Sequence, residues 1–542
     1  MRRALPLVAI GALLGVTSGG STTLDGTAPR LLDLRVTNGA TPFQGDRRLL
    51  ATVSPNGDGF RDAAVVRFRL AERARVIVEA VRTDTIRVGR PSEQVVWRKS
   101  HTLGDGKHRL TWKPAASTPP RTYILRLTVV GPGGRTRVYG TYRPSERTRV
   151  DTPVIRVQGI DAGFPLRSYA PGERATLSVA TDSESLQLQV YAYSTTVRRG
   201  DQDFKTSGVA MTPPLRVDWR GHRSRPGQLR LVRAGDWPSG LYFLRASAPD
   251  RRVGYAPFIV RPKRLGTRRV AVVLSTNTWQ AYNFLDGDGD GWGDSWYVSE
   301  RIRSVDLLRP YLDFGVPFRF RDWDLTFIAW LNRTGKQVEF LSDDDLERVG
   351  TGDRLARTYD LVVFPGHEEY VTKRTFDIVQ RYRDLGGNLA FLSANNFFWK
   401  VRRQGPRLVR VKRWRTLGRP EAALVGVQYV GSNHGGRQEP YRIKGATVAP
   451  WAFFGTGVRD GDAFGGRYGI EIDARTAASP PGTQLLASIP NLMGTRSAEM
   501  SYYETRSGAK VFAAGTLNFA ASLDRPDVSQ LLENVWARLS TP

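Results

Sequence analysis

Apolar and polar positions alternate through the first half of the chain, which predicts an all-β region. Between residues 49 and 143, short alternating segments such as Val65–Leu70 and Tyr123–Val130 are separated by turn-forming residues. A second region with the same pattern extends from about residue 153 to residue 262. Short alternating segments at this spacing are typical of β-sandwiches.

The two β-rich regions also end alike, which indicates a weak internal repeat. Residues 119–128 read PPRTYILRLT and residues 238–247 read PSGLYFLRAS. We therefore predict two immunoglobulin-like (Ig-like) β-sandwiches, at residues 43–148 and 149–265. Residues 22–42 are rich in Thr, Gly and Pro, and we expect them to form a linker.

The pattern changes at Arg269, after which buried strands and helices alternate. Val270–Leu274, Leu361–Phe364 and Asn388–Ser393 are apolar runs of the kind that strands covered on both faces show. Apolar positions three or four apart between Phe376 and Leu385 predict a helix between the last two strands. We therefore predict a flavodoxin-like or class I amidotransferase-like α/β domain with a mostly parallel sheet at residues 266–542.

Polar side chains follow two of these strands at the point where each strand ends. His367, Glu368 and Glu369 follow the second strand, and Asn395 and Asn396 follow the third. In open α/β sheets, ligands bind at the carboxyl ends of the strands. The sequence therefore predicts a working site at this edge.

The chain is strongly basic, but its charge does not point to a nucleic-acid partner. The 542 residues include 80 Lys and Arg against 52 Asp and Glu, a net charge of +28. The arginines are spread over every segment and no nucleic-acid-binding motif accompanies them. We therefore expect no nucleic-acid partner, and we keep contact with cell-envelope polysaccharide as an open alternative.

Cysteine is absent, which excludes disulfides, thiolate metal sites and a cysteine nucleophile. Arg2-Arg3, the apolar stretch Leu5–Val16 and the small residues after it have the three-part form of a secretory signal. We therefore expect residues 1–21 to be a signal peptide and the protein to be secreted or held in the cell envelope.

An acidic loop interrupts the α/β region and has calcium-loop spacing. Its carboxylates stand at positions 1, 3, 5 and 9, with glycine at position 6, as in EF-hand loops. These carboxylates are Asp286, Asp288, Asp290 and Asp294. Position 12, normally a bidentate glutamate, is Tyr297. The sequence leaves Ca²⁺ binding and a plain Asp-Gly hairpin as alternatives.

The absence of several catalytic motifs from the α/β region reduces the number of candidate reactions. It contains neither a nucleophile elbow nor a phosphate-binding glycine motif. His367 and His434 are its only histidines, which are too few for a typical zinc site. Tyr282 and Tyr297, together with the carboxylates, offer hard oxygen donors suited to a hard cation.

Five short motifs in this region resemble the C-terminal catalytic domain of the N,N-dimethylformamidase large (beta) subunit family. They are TWQAYN at 278–283, SWY at 295–297, RPY at 309–311, PGHEEY at 365–370 and NNFFW at 395–399. The resemblance covers roughly residue 268 to the C-terminus. It implies a single Fe³⁺ held by Tyr282, Tyr297 and Glu369. Two phenolates and one carboxylate suit a trivalent ion and leave positions open for water and an amide oxygen.

The resemblance also implies catalytic neighbours and an activity. It places His367 and Asn395 beside the metal and assigns Glu504 as a further carboxylate. The chain departs from the family in having His-Glu-Glu-Tyr where His-Pro-Glu-Tyr is common. The implied function is that of an exported, metal-dependent hydrolase of a C–N bond in a small amide.

Each candidate site residue also has a simpler structural interpretation, and together these interpretations define the alternative function. A tyrosine at a strand end can be an ordinary edge residue, and Glu369 can cap the helix that begins near Thr372. The chain would then be a non-catalytic surface or envelope protein with Ig-like modules and a degenerate α/β domain. The sequence does not indicate an oligomeric state or a small-subunit partner.

Overall fold

The computed structural model describes residues 29–87, 90–140, 151–193, 208–297 and 302–541. The predicted signal peptide lies outside the described residues. Of the described residues, 42% are in strands and 17% in helices. The molecule is therefore predominantly β.

The first part of the chain forms two facing sheets. Its strands are β1 (Leu31–Thr37), β2 (Leu50–Val53), β3 (Ala64–Leu70), β4 (Ala74–Arg87), β5 (Arg90–Leu103), β6 (Gly106–Trp112), β7 (Thr122–Val130), β8 (Thr136–Tyr139) and β9 (Val154–Val157). One sheet has the order β1-β3-β6, and the other has the order β2-β9-β7-β4-β5 with β8 beside β7. Alternation sends Val66 and Phe68 into the shared core and leaves Arg67 and Arg69 exposed. The predicted linker thus contains β1, a strand of the first sheet.

The second part also forms two sheets around a core of its own. Its strands are β10 (Asp161–Gly163), β11 (Ser168–Tyr169), β12 (Arg174–Ala180), β13 (Ser185–Tyr193), β14 (Gly208–Ala210), β15 (Leu215–Asp218), β16 (Gly227–Arg233), β17 (Gly240–Ser247) and β18 (Val253–Val260). The orders are β10-β12-β16 and β11-β18-β17-β13-β14, with β15 also on β13. The Ig-like classification of both parts stays a prediction.

The sequence repeat has a physical basis in one hydrogen bond. The hydroxyl of Tyr123 donates to the carbonyl of Pro119 at 3.0 Å, and that of Tyr242 donates to Pro238 at 2.8 Å. Each bond ties a late strand to the turn that precedes it. The tyrosine and proline of both copies are therefore explained by the same local contact.

The third part contains most of the helices. Its strands are β19 (Val270–Leu274), β20 (Ser304–Asp306), β21 (Glu339–Ser342), β22 (Leu361–Phe364), β23 (Tyr370–Thr372), β24 (Asn388–Phe391), β25 (Trp399–Gln404), β26 (Arg407–Arg413), β27 (Gln428–Ser432), β28 (Gln438–Ile443), β29 (Ala463–Gly469), β30 (Glu471–Ala474), β31 (Gln484–Met493), β32 (Arg496–Glu504) and β33 (Lys510–Ala513). Its α-helices are α1 (Thr276–Ala281), α2 (Thr326–Arg333), α3 (Asp343–Val349), α4 (Gly352–Thr358), α5 (Lys373–Asp384), α6 (Ala422–Val425), α7 (Pro450–Phe453) and α8 (Pro526–Leu539). A π-helical turn lies at Arg321–Leu325, and 3-10 turns lie at Arg220–His222, Trp414–Leu417 and Phe519–Ser522.

The main sheet of the third part is mixed, so the predicted flavodoxin-like or class I amidotransferase-like fold with a mostly parallel sheet is wrong. The sheet has nine strands in the order β21-β19-β22-β24-β33-β32-β31-β28-β29. Pairing is parallel from β21 to β33 and antiparallel from β33 to β29. The parallel strands therefore form only one half of the sheet.

The cause of this error lies in the last strands of the sheet. β31 and β32 form an antiparallel hairpin, and a turn at Thr505–Gly508 returns the chain into β33. A strand that enters the sheet by a tight turn must run antiparallel to its neighbour. Hydrophobic periodicity does not specify which sheet a strand joins or in which direction it runs.

The third part contacts the first part through the acidic loop between α1 and Tyr297. The Arg47 guanidinium donates to the carbonyls of Asp288 and Gly289, both at 3.0 Å. The Thr83 hydroxyl donates to the carbonyl of Gly291. Within the part of the chain that the structure describes, no helix has the length and apolarity that a membrane crossing requires.

Candidate functional site

Two tyrosines approach each other near the end of β19. Tyr282 ends α1, the short helix that follows β19. Tyr297 arrives from the far end of the acidic loop, where the backbone N–H of Trp296 donates to the carbonyl of Ala281 at 2.7 Å. The two phenol rings lie edge to face with centroids 4.9 Å apart. The structure thus brings together two donors that are fifteen positions apart in sequence.

Glu369 lies between β22 and β23 and contacts the first of these tyrosines. The Tyr282 hydroxyl donates to the Glu369 carboxyl. Its backbone is fixed as well, because its N–H donates to the Thr278 hydroxyl at 3.3 Å. Glu369 is not a helix cap, since Thr372 caps α5 by accepting from the N–H of Thr375 at 3.1 Å. The simpler interpretation of Glu369 is therefore wrong.

Asn395 follows β24 in a left-handed conformation with φ of 56°, which a non-glycine residue adopts only at a cost. Its backbone N–H donates to Asp473 at 2.8 Å, and its side-chain amide donates to Glu471 at 2.8 Å. These two bonds hold the strained turn. The side-chain oxygen of Asn395 is buried without a hydrogen-bond partner among the described residues.

His367 is buried between two carboxyls. Its Nε2 lies 3.4 Å from an oxygen of Glu471 and 3.7 Å from one of Glu369. These distances are too long for good hydrogen bonds, and neither ring nitrogen has a partner among the described groups. Burial lowers the pKa of His367 to about 3. The imidazole is therefore neutral near pH 7 and has both nitrogens available.

Glu471, at the start of β30, is a site residue that the sequence did not predict. It joins Asn395 and His367 and is buried. The available signal was two acidic residues, Glu471 and Asp473, alternating with isoleucines in a strand-like stretch. Burial first, and then the neighbouring Glu369 carboxyl, raises the pKa of Glu471 to about 8.

The protonation states of these side chains determine which donor atoms they can offer a cation. Burial raises the pKa of Glu369 to about 7 and that of Tyr297 to about 12. Burial and the adjacent Glu369 raise the pKa of Tyr282 well above its usual value. Without a cation the two tyrosines keep their protons near pH 7 and Glu369 is partly protonated, and a trivalent ion that displaced these protons would gain three anionic donors. The donor set and the unpartnered His367 and Asn395 atoms therefore fit a ferric ion.

Glu504 lies apart from this cluster. It ends β32, where its carboxylate accepts from Arg538 at 2.8 Å and from the Tyr502 hydroxyl. Its carboxylate is about half exposed, with 44% of the side chain accessible. The structure does not bring Glu504 to Tyr282, and Glu471 occupies the position of a further carboxylate instead.

A second set of buried carboxyls lies near these strand ends, and of its members the sequence predicted only Glu368 at this edge. Glu368, Asp343 and Asp324 each carry an oxygen without a hydrogen-bond partner among the described groups. Burial, then the neighbouring Asp343, raises the pKa of Glu368 well above its usual range. Gly366 makes this packing possible, because a Cβ there would lie 2.3 Å from an oxygen of Asp324.

The acidic loop brings three carboxylates together. Oxygens of Asp286, Asp288 and Asp294 lie within 4.8 Å of one another. Asp286 is buried and accepts backbone N–H bonds from Gly289 at 2.7 Å and Gly291 at 2.8 Å. Asp290 accepts from the N–H of Trp292 at 2.8 Å. The carboxylates therefore already stabilise the turn, and calcium binding stays a prediction.

The tyrosines, Glu369, Asn395 and Glu471 line a cavity of about 310 Å³. Arginines of strand β26 and the aromatic rings that hold them also line this cavity. The Arg410 guanidinium lies 4.8 Å from the ring centre of Trp399, and Arg413 lies 5.2 Å from that of Phe398. Such cation–π contacts fix long side chains that would otherwise be mobile. The cavity is thus lined by both carboxyl and guanidinium groups.

Comparison with known proteins gives consistent relatives for this part of the chain. A family profile described as "N,N-dimethylformamidase beta subunit-like, C-terminal" matches residues 226–531. The N,N-dimethylformamidase beta subunit of Alcaligenes sp is 27% identical over 318 residues, which cover 46% of this chain and 41% of that protein. The same subunit of Paracoccus aminophilus is 26% identical over 314 residues, again 46% and 41%. The chain therefore matches about two-fifths of the length of these relatives.

A solved structure that aligns with part of this chain is only weakly similar to it. The native conformation of E. coli alpha-2-macroglobulin aligns with 43% of this chain and 16% of its own, at 13% identity and a TM-score of 0.20. A similarity at that level carries no argument about fold or function.

Proposed function

This chain belongs to the N,N-dimethylformamidase beta subunit-like family through its C-terminal domain, and we propose that it is a metal-dependent amidohydrolase. The reaction adds water across a C–N amide bond and releases a carboxylic acid and an amine. The observation that carries the proposal is that Tyr282, Tyr297 and Glu369, which are well separated along the chain, line one cavity.

We propose that Tyr282, Tyr297 and Glu369 hold a ferric ion. When bound, such an ion polarises the amide carbonyl and lowers the pKa of water. The phenols and the carboxyl provide hard oxygen donors, with anionic charge that balances a trivalent cation. Asn395 keeps Glu471 beside this set through its 2.8 Å hydrogen bond.

His367 is the group best placed to move a proton. Its neutral imidazole can accept a proton from the attacking water at Nε2 and return it to the departing amine nitrogen. The nearby Glu471 carboxyl, 3.4 Å away, stabilises the imidazolium that forms in between. Asn395 has a second N–H that can donate to the developing oxyanion.

The size of the cavity limits the substrate. A volume of about 310 Å³ admits a small or medium amide, since it is at the lower end of ordinary ligand pockets. We further propose that the protein acts outside the cytoplasm, which rests on the signal-like N-terminal sequence alone. Contact with a small subunit is not indicated by any feature of the described chain.

The test uses the full chain expressed with ample iron. We expect about one iron per chain, a visible tyrosinate charge-transfer band, and release of amine from small amides. A matched pair of variants, Glu369→Gln and Glu347→Gln, separates the site from general damage, because Glu347 lies on α3 and bonds Thr372 and Thr375. Only Glu369→Gln should lose iron and activity. A colourless, iron-free and inactive wild-type protein would favour the non-catalytic alternative.

A further inference from the structure

The outer face of the sheet β1-β3-β6 carries a dense row of basic side chains. Arg35 is the cross-strand partner of Arg67, and Arg67 is the partner of Arg109. In the adjoining row, Arg69 is the partner of Lys107. All five side chains are exposed. We call these five residues the basic face.

Neighbouring strands lie about 4.8 Å apart, so the three arginines form a line of like charges at that spacing. Like charges directly opposite each other destabilise a sheet. The nearest compensation is Asp33, whose carboxylate lies 3.8 Å from Arg69. The basic face is therefore an arrangement that an external polyanion would stabilise.

The basic face lies in a shallow groove of about 590 Å³, which Arg48 also lines. The other side of the same strands packs into the core through residues such as Phe68 and Val66. Core packing thus holds the backbone of the basic face in place, and only the ends of its side chains need to move when a ligand binds. Arginine suits this task because its planar guanidinium can bind carboxylate or phosphate in a bidentate manner.

We propose that the basic face binds an anionic polysaccharide, with carboxylate or phosphate groups of successive sugars contacting Arg35, Arg67 and Arg109. Charge complementarity selects a polyanion, and the lack of exposed aromatic rings in the groove selects against single-stranded nucleic acid. Single-stranded nucleic acids need exposed rings on which bases stack. Phe68 is only 2% exposed, and His108 packs against its ring with centroids 5.7 Å apart.

The test measures binding of the full chain to fluorescein-labelled polygalacturonate by anisotropy across a salt series. The variant is R35Q/R67Q/R109Q. The matched control is R174Q/R230Q/R233Q, which removes the same charge from exposed strand positions of the second part, where Arg174 and Arg233 are also cross-strand partners. Neutral dextran and a DNA duplex serve as comparison ligands.

We expect the wild type and the control to bind polygalacturonate alike and to leave dextran unbound. The R35Q/R67Q/R109Q variant should bind roughly tenfold or more weakly, with a salt slope reduced by about 2, at about 0.7 per lost contact. It should unfold at the same temperature as the wild type or above, because like-charge repulsion is removed. Equal losses in both variants would show that net charge alone drives binding and would overturn the proposal. DNA bound as tightly as polygalacturonate, and lost in the same variant, would overturn the choice of partner.

Discussion

Replacing the two candidate tyrosine ligands separately should produce different stabilities but the same metal content. In the metal-free protein the Tyr282 hydroxyl donates to the buried Glu369 carboxyl. Tyr282→Phe leaves that carboxyl without this donor, which should cost about 1–3 kcal/mol of unfolding free energy. Tyr297 is only partly buried and lines the cavity, so water can replace its hydroxyl contacts and Tyr297→Phe should cost little.

The midpoint of thermal unfolding reports this difference. A domain of the size of the third part of the chain loses roughly 2–4 °C in its unfolding midpoint for each kcal/mol of unfolding free energy that is lost. After iron is removed with a chelator, Tyr282→Phe should therefore unfold at a measurably lower temperature than Tyr297→Phe. Iron content and the visible band report the second property. Each variant removes one of the two phenolates, so both should lose the band and most of the iron.

A third tyrosine provides the control. Tyr370 is buried beside Glu369 but is not among the proposed ligands. Burial, and then the Glu369 carboxyl, raises the pKa of Tyr370 well above its usual value. Tyr370→Phe should therefore lower the unfolding midpoint of the metal-free protein and leave iron and colour intact. If Tyr282→Phe and Tyr297→Phe both retain full iron, the tyrosinate centre is refuted, and the amidohydrolase proposal loses its basis in this structure.

Other perturbations test neighbouring parts of the site. His367→Ala and Asn395→Ala should keep iron and colour but slow amide hydrolysis, by roughly 100-fold or more if they act on the proton and the oxyanion, and unchanged turnover would contradict those roles. Glu471→Gln should also slow turnover at full iron content, by roughly tenfold or more, because a glutamine cannot ionise beside His367 when the imidazolium forms; normal activity would make Glu471 merely structural. Asp324 is buried, and burial raises its pKa to about 7. Because its pKa is higher in the folded protein than in the unfolded chain, the free energy of unfolding falls as pH rises from about 4 through 7. Asp324→Asn should therefore stabilise the chelated protein against urea at pH 9 but hardly at pH 5, and an equal effect at both values would contradict this assignment. Calorimetry with CaCl₂ should show weak binding at most, whereas a tight site abolished by Asp288→Ala would show that the loop is a calcium site.

The sequence was sufficient to predict the half of the site that belongs to consecutive strands. The buried runs that became β22 and β24 have one edge, and the polar residues after them had to meet there. His367, Glu369 and Asn395 accordingly lie within one cluster. In this half of the sheet, local hydrophobic pattern and parallel topology constrain each other strongly.

The other half depends on pairing between distant strands, which periodicity does not encode. Glu471 comes about a hundred residues after Glu369 and reaches the site because β30 pairs with β27 and Ile472 bridges to Thr516. A short polar-apolar alternation fits many registers and several sheets equally well. The same uncertainty produced the wrong expectation of a mostly parallel sheet and left Glu471 unpredicted.

The acidic loop has the spacing of a metal site, and its glycines and aspartates also have a structural role. Glycines are needed because a Cβ at Gly289 would lie 2.6 Å from Leu50, and one at Gly291 would lie 2.5 Å from Ile124, both in the first part of the chain. Aspartates are needed because a turn packed this closely leaves backbone N–H groups that only short acceptors can reach. The loop begins after Tyr282 and ends before Tyr297. Its contact with the first part of the chain therefore also fixes the separation of the two phenols. The all-β part of the molecule therefore contributes to the geometry of the candidate centre without supplying a ligand.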